Sequence, residues 1–179
     1  MKTLLATALF AAMTALAASA MTTDSASIVA LVRSTPELAI DNSVPPPGDW
    51  SIKTHPFVRL TRAPEGTTGG FIDPDFAASG LLAPGTRVIA VPLESGGSGG
   101  VFTQVVFAQS DENAKPFYAG YIHSGGHLVV NVGYHGIEAI LPKYGPNDPN
   151  CCPSHYLIQT YTIENGKLKL VSEKTVVRP

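Results

Sequence analysis

Two runs of alternating apolar and polar residues, Tyr156 to Glu164 and Lys167 to Val176, flank an Asn165-Gly166 pair. Asn-Gly is the favoured type I′ pair because both turn residues need positive φ, so the stretch predicts a β-hairpin. A two-residue turn places Glu164 opposite Lys167, Ile163 opposite Leu168 and Tyr161 opposite Leu170. The last two pairs share a face with Leu157, while Thr162 and Lys169 point the other way. By the same parity His155 faces the core unless a bulge intervenes. One face is apolar and the other wet, as in a sheet packed on a core from one side.

Similar patterning extends upstream. Arg87 to Leu93 and Val101 to Ala108 are rich in valine and read as paired strands around the turn Glu94 to Gly100. Phe117 to His123 and His127 to Val132 read as a second hairpin around Ser124-Gly125-Gly126. Ile137 to Leu141 is a short strand ended by Pro142. Trp50 to Leu60 alternates weakly, as a strand would, and residues from Glu65 to Gly70 are turn-rich. Phe71 to Phe76 carries Asp73 and Asp75 but lacks the regularly spaced oxygen ligands of a calcium loop, so a solvated loop is expected. Near the start, Asp24 can cap a short helix through Val32, with Ile28, Leu31 and Val32 on one face and Pro36 as the stop. Val44-Pro45-Pro46-Pro47-Gly48 reads as a polyproline-like spacer. About seven strands joined by short links predict a mainly β, antiparallel fold. A small sandwich or partly closed barrel with one short N-terminal helix is expected; the alternative is α+β, a single sheet backed by that helix.

The first residues change the picture of where this fold is used. Met1-Lys2, the apolar run Leu4 to Leu16 and the small-x-small Ala18-Ser19-Ala20 make a secretory signal peptide over residues 1–20. The apolar run is too short for a membrane span, and no later stretch is long and apolar enough to be one. Residues 21–48 then form an N-terminal segment with the spacer, and 49–179 a single β-rich domain. Without Lys2 the chain has 11 basic against 14 acidic residues and no basic run. Nucleic-acid binding and polybasic membrane attachment therefore lack an electrostatic footprint. Export, to periplasm or medium, places the cysteines where disulfides are permitted.

The only two cysteines, Cys151 and Cys152, are neighbours. They can bond to each other, bond to another chain, bind a metal as thiolates, or stay free. Ordinary disulfides join Cα atoms roughly 4.4–6.8 Å apart, and adjacent Cα atoms are about 3.8 Å apart, so a Cys151–Cys152 bond would close a small strained ring. Its loop entropy is almost nil; the expected state is nonetheless this vicinal disulfide, supplying a fixed turn with an exposed sulfur face, with redox or metal chemistry as the alternative. Asn147, Asp148, Pro149 and Asn150 add turn chemistry, and Pro153 biases Cys152 towards an extended backbone. With Ser154 and His155 they make a stiff loop, the candidate functional loop of the chain.

The run Gly145 to Ser154, with Asp148-Pro149-Asn150-Cys151-Cys152-Pro153-Ser154 inside it, resembles the Asp-Pro-x-Cys-Cys-Pro-Ser signature of the LppP/LprE-type bacterial lipoprotein family and related exported proteins. Gly96-Gly97-Ser98-Gly99 is similar to the glycine segment associated with that signature, and Tyr156 to Val171 to its downstream strand-turn-strand. The likeness spans Arg87 to Val176. It implies an exported domain without an established activity, so no catalytic residues carry over. The leader here lacks a lipobox cysteine, which argues against a lipid anchor.

Other candidate chemistry is weaker. Gly96-Gly97-Ser98-Gly99-Gly100 matches the G-x-S-x-G elbow, and Asp148 and His155 follow in hydrolase order. That elbow needs a helix after it, whereas Val101 to Phe107 reads as a strand. The glycines also fail as a phosphate loop, because no Lys-Ser/Thr follows. His123 and His127 flank a turn and could share a metal with His135, His155 or the thiolates, but spacing fixes no third ligand. His55, beside Pro56, reads as structural. The expectation is an exported domain that binds an unknown ligand or envelope component, without a cofactor. A redox- or metal-responsive envelope protein using Cys151 and Cys152 is the alternative, and a small serine esterase using Ser98, Asp148 and His155 the third.

Overall fold

The computed structural model describes residues 21–62, 69–83, 85–96, 99–149 and 151–178. The leader expected at residues 1–20 lies outside them, as do Gly97, Ser98 and Asn150. Helix α1 spans Ser25–Arg33, with the Asp24 carboxylate accepting the Ser27 N–H at 2.9 Å as its cap. Ile28, Val29 and Val32 are its buried face, a stripe set by the helical period.

The rest of the fold is antiparallel β. Strands β1 (Leu38–Ile40), β2 (Phe57–Leu60), β3 (Gly70–Ile72), β4 (Ala78–Leu82), β5 (Thr86–Glu94), β6 (Val101–Gln109) and β7 (Phe117–His123) form a seven-stranded sheet in the order β1-β2-β3-β5-β6-β7. β4 joins β5 beside β3. Strands β8 (Val129–Gly133), β9 (Gly136–Lys143), β10 (His155–Glu164) and β11 (Lys167–Val177) form a second sheet in the order β11-β10-β9-β8. The sheets do not close into a barrel.

There are more strands than the periodicity shows. β1, β3 and β4 are three to five residues long, too short to display a period. The expected strand from Trp50 shrinks to β2, because Thr54 and His55 donate backbone N–H groups to Ser51 O at 3.1 and 2.7 Å and wind residues 51–55 into a turn. The expected hairpin around Ser124-Gly125-Gly126 is corrected: β7 pairs with β6, and β8 pairs with β9. The chain changes sheets here. Ser124, His127 and Leu128 donate to Phe102 O, Gly99 O and Val101 O, which carries the segment past the start of β6 instead of back along β7. Gly126 has φ +138°, and a Cβ on it would lie 3.0 Å from Gly99 O, so glycine is needed at this crossing.

The C-terminal hairpin has the expected register: Glu164↔Lys167, Ile163↔Leu168 and Tyr161↔Leu170. Asn165 and Gly166 have φ +52° and +74°, as a type I′ turn demands. A bulge near Thr160/Tyr161 places the extra residue, Val171, on β11, since Thr160 pairs with Ser172. The parity of β10 is thus kept, and Leu157, Tyr161 and Ile163 pack against the core.

Two cores lie on opposite faces of the larger sheet. Ile89, Val91, Leu93, Val105 and Phe107 meet α1 residues Ile28, Val29 and Val32 in one. Val88, Ala90, Val106 and Ala108 meet Ile137, Ala139 and Leu141 of β9 in the other. The order of layers is therefore helix, seven-stranded sheet, four-stranded sheet. Residues 21–48 contribute α1 and β1 to the first core, with Met21 N–H donating to Gln109 Oε1 at 3.0 Å.

Phe107 is fully buried, whereas Val171 is 62 % exposed. Phe107→Ala is expected to lower unfolding free energy by about 3–5 kcal/mol, and Val171→Ala to change it by less than about 0.5 kcal/mol, both read by urea denaturation.

Candidate functional site

The loop between β9 and β10 is held by one carboxylate. Asp148 Oδ2 accepts the N–H of Gly145 at 2.6 Å and of Ser154 at 2.7 Å, tying the two ends of the loop together. Asp148 N–H donates back to Gly145 O at 3.2 Å, and Cys152 N–H to Pro149 O at 2.9 Å. Pro153 is buried and Asn147 and Pro149 are exposed, so the Pro-Asn-Asp-Pro stretch forms the outer rim. The backbone bonds from Gly145 and Ser154 hold the Asp148 carboxyl below its ordinary value. The loop is the stiff element that its prolines and Asx residues imply.

Cys151 and Cys152 stand on this loop as free thiols, Cys151 exposed and Cys152 half-buried. They differ in character. The Cys151 S–H donates to Cys152, which pushes Cys151 up and Cys152 down, and Arg178 lowers Cys152 further. Arg178 is brought there by its own backbone N–H, which donates to Ser154 O at 2.9 Å where β11 ends. A thiol beside a guanidinium has the electropositive surroundings that favour a thiolate.

Ser154 Oγ lies 2.8 Å from His155 Nδ1 and also bonds Asp148. The serine hydroxyl thus stands between carboxylate and imidazole, whereas a hydrolytic triad has the imidazole in the middle. Asp148 and His155 are brought together, as the esterase order requires, but the stretch carrying Ser98 joins β5 directly to β6. Ser98 itself lies outside the described residues, but Val101 opens strand β6 and not a helix, so the esterase expectation loses its scaffold.

The histidines are not a hairpin pair. His123 ends β7, with Nδ1 2.9 Å from Thr103 Oγ1, and His127 lies in the crossing segment with φ +51°. They do not face each other across a hairpin, because β7 and the strand that follows His127 belong to different sheets.

Two features escape a reading of the sequence. The first is a cleft of about 460 Å³ between the edge of β7 and the β10–β11 hairpin. Tyr118, Tyr121 and Tyr161 line it, with the half-buried Glu37 and the exposed Arg62 and Lys167 around its mouth. Burial pushes Tyr118 up to about 12, further from ionisation than an ordinary tyrosine. β11 comes close at Gly120, where a Cβ would meet Leu168 Cβ at 3.2 Å. Only the assembled sheets create this space; the tyrosines themselves are the single sequence signal.

The second is a set of groups around Asp73. The expected solvated loop at Phe71 to Phe76 is corrected, since Asp73 is 4 % exposed and its N–H extends the ladder to Pro92 O. His55, expected to be merely structural, stands with Nε2 4.0 Å from Asp73 Oδ1. Burial raises both Asp73 and Glu94, and Asp73 adds to the effect on Glu94.

Comparison with family models, with curated proteins and with solved structures finds no match to this chain.

Two outcomes test the loop. Because the Asp148 carboxyl is lowered in the fold, its clamp is complete above the ordinary carboxylate range and is lost only as pH falls through the lowered value. The amide resonances of Gly145 and Ser154 are expected to titrate together with a midpoint below that of an ordinary aspartate. Arg178→Met is expected to slow iodoacetamide alkylation of Cys152 at neutral pH several-fold, as mapped by peptide mass spectrometry, with Cys151 changed less.

Proposed function

We propose that this chain is an exported β-rich domain of the double-cysteine group that acts by binding, and that the tyrosine-lined cleft is where its ligand sits. The cleft itself supports this most. Its volume of about 460 Å³ lies within the roughly 300–1,000 Å³ of small-molecule sites. Its aromatic walls and few polar groups suit a compact apolar or aromatic body. At the mouth two basic side chains, Arg62 and Lys167, face one acidic one, Glu37, so an anionic end on the ligand is favoured. The Tyr118 hydroxyl, protonated at neutral pH, offers a hydrogen bond inside.

A second reading rests on the Arg178–Cys152 contact, which gives one thiol of the pair thiolate character. On that reading the loop is a redox element of an envelope protein: exchange with an external disulfide, which leaves as two thiols, joins Cys151 to Cys152 in a strained, readily reduced bond. The cleft and the thiols lie roughly 30 Å apart along β10, so the two readings can be tested separately.

Anilinonaphthalene sulfonate has an aromatic body and one anionic group and serves as a probe of the cleft. It is expected to bind at one saturable site. Tyr121→Ala should weaken it about tenfold, the loss of roughly one aromatic contact, while Val171→Ser on exposed β11 leaves it unchanged. Circular dichroism checks that both variants fold. Affinity that is indifferent to Tyr121→Ala would place the probe elsewhere and remove the support for this cleft.

A further inference from the structure

We propose that His55, Asp73 and Asp75 form a binding site for a divalent transition ion of the zinc class. A ligand atom from each, the imidazole nitrogen and one oxygen of each carboxylate, lies within 4.8 Å of the other two. The His55 Nε2 to Asp73 Oδ1 distance of 4.0 Å is too long for a hydrogen bond. Two ligands about 2.0–2.2 Å from one tetrahedral ion stand roughly 3.3–3.6 Å apart, so an ion would draw this pair together by about half an ångström.

Each ligand is positioned by a different part of the fold. Asp73 is fixed by its backbone bond to Pro92 O at 3.1 Å, at the end of β3. Pro74 then starts a 3-10 turn that brings Asp75 round to the same side. His55 comes from the turn before β2, and its ring is clamped from one face by Trp50, with centroids 4.5 Å apart and planes 6° from parallel. Its Nδ1 lies 2.9 Å from Thr54 Oγ1. That hydroxyl also reaches the Ser51 carbonyl at 3.4 Å, which can only accept. Thr54 Oγ1 also lies 2.9 Å from Ser51 Oγ; with the Thr54 hydroxyl donating to Ser51, Nδ1 donates to Thr54 and the Nε2 lone pair faces the carboxylates, the tautomer an ion at this site requires. A second hydrogen bond that fixes the tautomer in this way is the usual support of a metal-bound histidine.

The burial of Asp73 points independently to a cation. Its side chain is 6 % exposed, and the backbone N–H groups of Asp75 and Phe76 with the nearby His55 offset only part of its burial, which still raises the carboxyl; a bound cation would supply the remainder. Among the described residues its one ion-pair partner is His55, at the limit of contact. Glu94 adds another carboxylate near Asp73. Asp75 is exposed and its carboxylate accepts the Ser25 hydroxyl, which gives an ion a route from solvent. One imidazole with two carboxylates is a donor set that suits zinc or manganese better than calcium or magnesium, which prefer oxygen alone.

Trp50 is the single tryptophan of the chain, and its stacking on His55 makes its fluorescence a local reporter. The purified protein, freed of metal by a chelator, is titrated with zinc chloride while Trp50 emission and heat of binding are followed. One zinc per chain is expected, with the fluorescence change saturating at the same equivalence and magnesium producing none. Asp75→Asn, at an exposed position that leaves the core intact, should weaken binding at least about tenfold, and Thr54→Val about tenfold through the histidine tautomer. Cys151→Ser/Cys152→Ser should leave it unchanged. No zinc binding at millimolar metal would overturn the site. So would binding that survives Asp75→Asn but is lost in the double cysteine variant, which would assign the ion to the thiols.

Discussion

Everything in this fold is mounted on a pair of strands with no wet side. β5 and β6 run antiparallel through the middle of the larger sheet, and residues 88–93 and 103–109 are buried along both. Odd positions of β5 press on helix α1 and even positions on the second sheet. A strand buried on both faces cannot alternate apolar with polar residues, so the sequence there is a near-continuous run of Val, Ile, Ala, Leu and Phe. Of the polar residues that enter, Gln109 and Thr103 are bonded, whereas Gln104 Oε1 is buried without a partner. Gln109 accepts the Met21 N–H and donates to Ala114 O at 2.7 Å, and Thr103 meets His123. The constraint also explains why the N-terminal helix is part of the domain. Without α1, one face of the central pair would lie open to water.

The groups with chemical potential are all at the periphery of this scaffold. The cysteine loop closes the β9–β10 connection, the tyrosine cleft opens where β11 crosses the edge of β7, and the His55–Asp73–Asp75 set gathers where β3 ends. Each depends on a local contact: Asp148 bonded to Gly145 and Ser154, Gly120 leaving room for Leu168, Asp73 bonded to Pro92. Such placement lets a rigid core fix geometry while leaving the ligating atoms reachable from solvent.

How much of this the sequence discloses depends on the range of the interaction. The Asn165-Gly166 turn and its register are local, and the structure has them as the residue types demand. The cap of Asp24 on α1 is equally local. The class of fold, antiparallel β with one short helix, follows from adding such pieces. The switch between sheets at Ser124–Gly126 does not, because a Gly-Gly turn that reverses a strand and one that carries it across look alike in the sequence. Only pairing with residues 99–102 decides between them. The set around Asp73 is lost for the same reason. His55 and Asp73 meet only after β2 and β3 pair, and neither sits in a spaced motif. The two sheets of the sandwich also share Val-rich sequence, so periodicity alone cannot assign strands to one or the other.

The most direct test of the account is amide hydrogen exchange resolved by residue. If the β5–β6 pair is the doubly buried element on which the rest depends, amides of residues 88–93 and 103–108 exchange only through global unfolding. Those of the outer strand β11 and of residues 144–149 then exchange through local opening at much lower free energy. Exchange in β5 and β6 as fast as in β11 would contradict the account, because a strand so easily opened could not be the middle layer that holds the helix, the second sheet and the sites at their edges.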